Sequence, residues 1–489
     1  MFGFSLLFLA ELALCLEDKV LNQKVVFLIL SQPNPDYDER KAFELKADLL
    51  KQSNQLGQTE IPTVYISHQS FPDVFGAWAV WPVLKKLTSK VGVDPKEEPY
   101  WLFVCESDTS IRLEPLLTLL SGYNPSELHF LGHSLVDRSP TVIHHYASPD
   151  PGKPPFYYPD FSAGFAITGQ LAKQLVKYVT VARKFSDFAI DAKHELAQMI
   201  EVEGAVLTDV PSFCTTRRGP DCITEYRPSV EQCSHQVTEQ QVLFGVKTYH
   251  AYHKSRVVVV KRTWAKDARH IEFYSDRADM YIPTVVFDGV DNTKKGHCAK
   301  TFAIIRRFLE ERSFSNFKWL VITDDDSLVS VERLFTLLRC YDWSKSLLLG
   351  ERYGYGFDKD GVGGYDYPTG GAAMVFSRPA AEHLRSVCTC PANDSPDDMI
   401  IGMCARRNDI NVFHWPGFHQ ARPEDYAVDY LAKVKAVSFH KHWEVDPYLV
   451  FKVWLQTTQP SSDSDSGAAP HSQQTQQPPA TDGDHHSEL

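Results

Sequence analysis

Positive charge is scarce in this chain. Its 489 residues carry 50 Lys and Arg against 62 Asp and Glu, a net charge of -12, which argues against nucleic acid or an anionic membrane as the main partner. Long apolar runs are scarcer still. The first sixteen residues form one, but it falls short of the roughly 20 residues that a membrane-spanning helix needs, and no later stretch does better. A transmembrane anchor is therefore not expected. Residues 1–16 read instead as a secretory signal, with the small residues Ala13 and Cys15 placed for cleavage. Zinc-site spacing is missing too, because Cys388 and Cys390 stand too close together for C-x-x-C. From Gln456 to the end there is no Lys or Arg at all, only a polar stretch rich in Ser, Gln, Pro, Asp and His. Such a segment cannot bury enough apolar surface to fold.

What is present points to an oxidising compartment. Ten cysteines are many for a cytosolic enzyme. Removal of the signal leaves an odd number, so at least one stays unpaired, and Cys105 in a strand is the expected one. The chain ends His486-Ser487-Glu488-Leu489, a variant of the K-D-E-L address read by a retrieval receptor. Signal and address together imply a soluble protein of the endoplasmic reticulum lumen.

The body of the chain repeats itself. Trp101–Leu120 lies over Trp319–Leu338 with eight identities in twenty. Farther on, Phe130-Leu131-Gly132 matches Leu348-Leu349-Gly350, and the segment after Tyr158-Pro159 matches the one after Tyr367-Pro368. The spacing predicts two copies of one α/β unit. In the first, strands are expected at 25–30, 61–67 and 101–104, with a helix over 42–50. In the second, they are expected at 242–246, 271–276 and 319–322, with helices over 253–264, 300–312 and 330–338. Strands alternating with helices mean a largely parallel sheet with ligands beyond the carboxyl ends of the strands. Residues 211–240, with Cys214, Cys222 and Cys233 among Arg, Pro and Ser, read as a disulfide-braced linker between the copies.

Chemistry gathers in the second copy. Trp319–Ile322 is apolar and runs straight into Asp324-Asp325-Asp326. Three adjacent carboxylates at a strand end repel one another, and a hard divalent cation compensates them economically. Alternation along extended chain sends Asp324 and Asp326 one way and Asp325 the other. Gly370-Gly371, after a tyrosine-rich loop over 353–367, lets backbone approach a ligand closely. Pro396-Asp397-Asp398 reads as a helix start, with one carboxylate capping and the other free to act as a general base. His440, closing the strand-like run 436–440, suits a third metal ligand. The first copy has Glu106-Ser107-Asp108 for the aspartates and Phe161-Ser162 for the glycines, so catalysis is not expected there.

Together Val246-Lys247-Thr248, the run from Arg256 to Thr263-Trp264, the triple aspartate, Pro368–Ala372, Pro396–Gly402 and Val437–His440 resemble the inverting β1,3-glycosyltransferases of the fringe type. The resemblance spans roughly 242–455. It implies two tandem GT-A-like, Rossmann-like units: 17–211, non-catalytic, and 241–455, catalytic, joined by 212–240 and followed by a disordered tail, 456–489. It implies Mn2+ held by Asp324, Asp326 and His440, and Asp398 as base, the family's base preceding x3-Gly, here Gly402. Lys247, Thr248, Arg256, Asp276, Asp324, Asp325, Gly370 and Gly371 would bind the nucleotide sugar. Within the family, the duplicated half and the tail are most similar to the members that use UDP-glucose to extend O-linked fucose on thrombospondin type 1 repeats. That resemblance alone implies this donor and this acceptor. A fringe-like enzyme with another UDP-sugar, or a non-catalytic lectin or chaperone on the same fold, are the competing readings.

Overall fold

The computed structural model describes residues 23–58, 61–91, 99–145, 155–181, 187–293, 296–357 and 362–457. The signal segment and the His486–Leu489 tail lie outside the described residues. Two sheets organise the chain. The first is six-stranded, in the order Leu207–Asp209, Phe130–Gly132, Phe165–Thr168, Trp101–Glu106, Val25–Leu30, Thr63–Ile66. The second is seven-stranded, in the order Thr284–Val286, Ile271–Ser275, Val242–Lys247, Trp319–Asp324, Met374–Ser377, Leu347–Gly350, Asn411–His414. Apart from the extra edge strand of the second, the orders correspond one to one. In each sheet a single antiparallel strand, Phe165–Thr168 or Met374–Ser377, interrupts parallel neighbours. The fold is α/β, with two GT-A-like units.

The central strands are buried up to their last residue because both faces are covered, and Asp324 and Glu106 emerge at the carboxyl ends. In the second sheet Val242, Phe244, Val246, Trp319 and Val321 face one apolar core, while Leu243, Leu320, Ile322 and Met374 face another. Period-two alternation divides the same strands between two cores, so the sequence reads as continuous apolar runs.

The antiparallel strand is what builds the site. Met374 pairs with Ile322, so the turn before Met374 lies at the carboxyl end of Trp319–Asp324. Lys247 pairs with Asp324 at the end of the adjacent parallel strand. The helix Asp397–Arg407, which begins with the paired aspartates, is pinned by two disulfides. Cys298–Cys390 ties its approach to the helix Cys298–Glu310, and Cys388–Cys404 ties its body. Cys214–Cys222 and Cys233–Cys340 are the other two disulfides among the described residues, where Cys105 is free and buried.

Four readings change. The segment 211–240 is not a bare linker: Phe213–Cys214 and Thr224–Tyr226 form a small sheet with Thr109–Ile111. The tyrosine-rich stretch is a hairpin, Arg352–Tyr355 against Tyr365–Pro368, joined by Phe188–Ala189 of the first copy. Its tyrosines are strand formers that the intervening glycines disguise. The helix expected over 253–264 is only Arg256–Arg262: the chain ahead of it forms a separate turn, His250–Tyr252, and the His253 ring is held by Asp279 and Ser275. The strand expected over 436–440 shrinks to Ser438–Phe439, paired with Leu328–Val329.

Candidate active site

Asp324, Asp326 and His440 come together, with their ligating atoms all within 4.8 Å of one another. The strand ends at Asp324, and Asp325 and Asp326 lie in the turn after it, so the turn rather than alternation along extended chain separates them: Asp325 accepts from Thr248 Oγ1 at 2.7 Å and from Arg256 Nη1 at 3.3 Å. The turn that carries the three is anchored from behind. Trp264 Nε1 donates to the Ser327 carbonyl at 3.0 Å, and Ser327 Oγ to the Gly371 carbonyl at 2.7 Å.

His440 is oriented by its own backbone surroundings. Nδ1 lies 3.0 Å from the Gln420 carbonyl, so it carries the proton and leaves Nε2 toward Asp326, 3.0 Å away. Orientation of an imidazole through its far nitrogen is usual for metal ligands. Two hard carboxylates and one imidazole fit a divalent ion such as Mn2+. Gly371 passes beneath this ring: a Cβ there would stand 2.3 Å from Nδ1, so no other residue fits.

Burial opposes ionisation of Asp326, but His440 and Arg256 outweigh it and hold the carboxyl below the usual carboxylate range. Asp325 goes the other way, pushed up to about 7 by burial and by the charge of Asp326. Arg256 bonds Asp326 Oδ2 at 3.0 Å, and its guanidinium lies over the Tyr252 ring, 3.9 Å from the centroid.

Asp397 and Asp398 have separate tasks, and neither side chain caps the helix in the expected way, the cap position being Pro396. Asp397 is an ion-pair partner: it accepts from Lys247 Nζ at 2.7 Å and Thr301 Oγ1 at 2.5 Å. Burial works against its charge, yet Lys247 draws it down to about 2. Asp398 opens on a cavity of about 100 Å3. It accepts from the Met399 and Gly370 amides at 2.7 and 3.2 Å, and burial together with Asp397 pushes it up to about 6. A base in that range is well matched to proton transfer near neutrality. Gly402 keeps it in place, since a Cβ there would meet Tyr367 Cβ at 2.3 Å; the helix lies directly on the strand Tyr365–Pro368.

Lys247 stands inside the protein between Asp324 and Asp397, rather than open toward a nucleotide. Asp276 is farther out, held by the His250 amide and ring; those hydrogen bonds outweigh partial burial and bring it down to about 2. Sequence reasoning missed Lys300, whose buried amine donates to the Thr248 carbonyl and Asn292, and which burial and Lys247 lower to about 8. It also missed Gln420 and Thr301. None belongs to a motif; a Lys on the buried face of an amphipathic helix was the only signal for the first.

A second His/Asp group, Asp137, His144 and His194, lies in the first copy. Its imidazoles stack in parallel, 3.8 Å between centroids, so their lone pairs do not converge on a common point. His144 instead bridges Asp137 and Asp191 at 2.6 and 3.0 Å.

No helix among the described residues is long and apolar enough to cross a membrane. A Beta-1,3-glucosyltransferase of Mus musculus is 45% identical over 437 residues, covering 88% of this chain and 86% of that protein. Its Homo sapiens namesake is 45% identical over 435 residues, covering 88% and 84%. The Fringe glycosyltransferase of Drosophila melanogaster is 36% identical over 124 residues, 24% of this chain and 29% of that protein. The Fringe-like family profile matches residues 83–199 and 237–461, one segment in each copy. With most of its length matched in this way, the chain belongs to the Fringe-like family.

Proposed function

We propose that the chain is an inverting, metal-dependent β1,3-glucosyltransferase that moves glucose from UDP-glucose to O-linked fucose on thrombospondin type 1 repeats in the endoplasmic reticulum lumen. The 45% identity to two proteins named Beta-1,3-glucosyltransferase supports the sugar and the linkage. The fucose acceptor rests on the family resemblance. The retrieval tail and the four disulfides support the compartment. One observation carries the chemistry: the dipeptide Gly370-Gly371 touches both halves of the machinery, donating to Asp398 from the Gly370 amide and lying against His440 at Gly371. On this reading base and metal group would stand on either end of one backbone turn.

Asp324, Asp326 and His440 would hold the cation, whose charge neutralises the departing diphosphate when bound. Arg256 and Lys300 extend positive charge toward the nucleotide. Asp398 takes the proton from the acceptor hydroxyl as its oxygen bonds to C1 and the C1–phosphate oxygen bond breaks. A single displacement inverts C1, by the same logic that separates inverting from retaining glycosidases.

The test is a panel of UDP-sugars against an O-fucosylated repeat, with and without Mn2+. UDP-glucose should be the preferred donor and chelation should stop transfer. Preference for UDP-N-acetylglucosamine would change the donor; turnover of no donor would favour a lectin or chaperone.

A further inference from the structure

The cavity in front of Asp398 has two unlike walls. From the second copy come groups that ask for hydroxyls. Asp398 retains accepting capacity beyond its two amides. Thr369 Oγ1 is buried without a hydrogen-bond partner among the described residues. The Gln420 side-chain oxygen takes the Ala372 amide at 2.9 Å, and its amide nitrogen is a further donor on the same side chain; all three residues line the cavity. From the first copy come Val142, Ile143, Phe188 and Ile190, side chains with no donor or acceptor to offer. Their position is fixed by pairing across the copies: Phe188–Ala189 is a strand of the hairpin sheet, and the Phe188 ring meets Tyr355 edge-on at 5.0 Å. The volume, about 100 Å3, is below the roughly 150 Å3 that takes a benzene ring, so it receives the reacting edge of a sugar ring rather than the whole of it.

A hexose whose hydroxyl reaches Asp398 must present the rest of its ring to both walls. Hydroxyls satisfy Thr369 and Gln420. Against the opposite wall a hydroxyl would lose its water without regaining a partner, at a cost of about 1–3 kcal/mol. A methyl group there loses nothing.

We infer that this cavity is the acceptor-sugar subsite, and that Val142, Ile143, Phe188 and Ile190 read the deoxygenated carbon of a deoxyhexose, so that the first copy sets acceptor choice for chemistry done in the second. The inference rests on the acceptor reading under Proposed function. It explains why a copy without its own aspartate motif stays attached: it is one half of the binding site.

The experiment compares an α-L-fucoside with the α-L-galactoside, which differs only by a hydroxyl on C6, at saturating UDP-glucose. An apolar pocket rejects an added hydroxyl by about 10²-fold, and the wild type should prefer the fucoside by that order in kcat/KM. Val142→Thr, nearly isosteric, and Ile190→Thr, one methyl shorter, both at half-buried positions, should each narrow the preference at least fivefold, mainly through the acceptor KM. UDP-glucose hydrolysis without acceptor reports on the intact donor site of each variant. A wild type indifferent to the C6 hydroxyl, or variants with wild-type preference, would overturn this inference alone. A wild type that hydrolyses UDP-glucose but transfers to neither glycoside would overturn the acceptor reading and this inference with it.

Discussion

The ammonium of Lys247 bridges Asp324 at 3.0 Å and Asp397 at 2.7 Å, joining the Asp324–Asp326–His440 group to the helix that begins at Asp397. Its side chain is only 3% exposed, so removing it strands two carboxylates. Breaking a buried pair by deleting one partner costs about 3–5 kcal/mol. Lys247→Met should lower the denaturant midpoint accordingly, with part of the loss recovered on adding Mn2+, which takes over charge from Asp324. The acid limb should change as well. Asp397 is held at about 2, below its unfolded value near 4, so its contribution is complete above about pH 4 and fades as pH falls toward 2. In Lys247→Met that fading should be absent. An unchanged acid-unfolding curve would remove Lys247 from this role.

Asp398→Asn keeps shape and hydrogen bonding to Gly370 but cannot take a proton. General base catalysis contributes about 10²–10⁴-fold, and kcat should fall by that order while UDP binding by calorimetry holds. The wild-type pH profile should show the same group. Asp398 is pushed up to about 6, and only its ionised form is a base, so kcat/KM should rise through about pH 6 and level above it. Asp397→Asn is the contrast. It leaves Lys247 short of a counterion, so its main effect should be on stability, larger than the 0.5–2 kcal/mol of a lost cap.

For the metal, Asp326→Ala removes one of three grouped ligands. UDP affinity should then stop responding to Mn2+, and transfer should vanish. Asp325→Asn is the control, since Asp325 faces Thr248 and Arg256 instead; its Mn2+ response should persist. Calorimetric titration of UDP with and without Mn2+ separates the two. An equal response in Asp326→Ala would move the metal elsewhere.

Sequence was most informative where a local pattern has one physical meaning. An apolar strand ending in carboxylates, or two adjacent glycines, can be read without neighbours; the alternation expected of Asp324, Asp325 and Asp326 does not apply, because the strand ends at Asp324 and a turn carries the other two. Contacts made across the sheet were beyond reach. Nothing near Lys247 in the chain announces Asp397, 150 residues away, so a capping role for one of the two aspartates was the reasonable local reading. Lys300 and Gln420 were missed for the same reason, as was the wall that 142–143 and 188–190 bring to Asp398. The duplication was legible because both copies keep the same core positions; the contribution of the first copy to the second was not, because it depends on how they dock.

The first copy should carry no turnover of its own, and its counterpart of the active site shows why. Where the second copy has Gly370-Gly371, the first has Phe161-Ser162. Into that place the second copy inserts Lys433, whose Nζ bonds Asp160 at 2.7 Å and Ser162 Oγ at 2.9 Å. Lys433 is 1% exposed and Asp160 fully buried, so positive charge from the protein itself fills the place of ligand or metal. Asp108 is likewise engaged, accepting from the Tyr37 hydroxyl at 2.9 Å. Glu106 borders a neighbouring cavity of about 130 Å3, which shares Ile143, Ile190 and Tyr353 with the one facing Asp398, and is itself absent from the wall of the latter. Glu106→Gln should therefore leave fucoside turnover within about twofold, the range in which surface-like changes act. Lys433→Met should leave Asp160 uncompensated and cost about 3–5 kcal/mol, read as a lowered denaturant midpoint. A folded Glu106→Gln protein without activity would mean that the first copy is a second active site; a Lys433→Met protein of wild-type stability would mean that the lysine does not close the first.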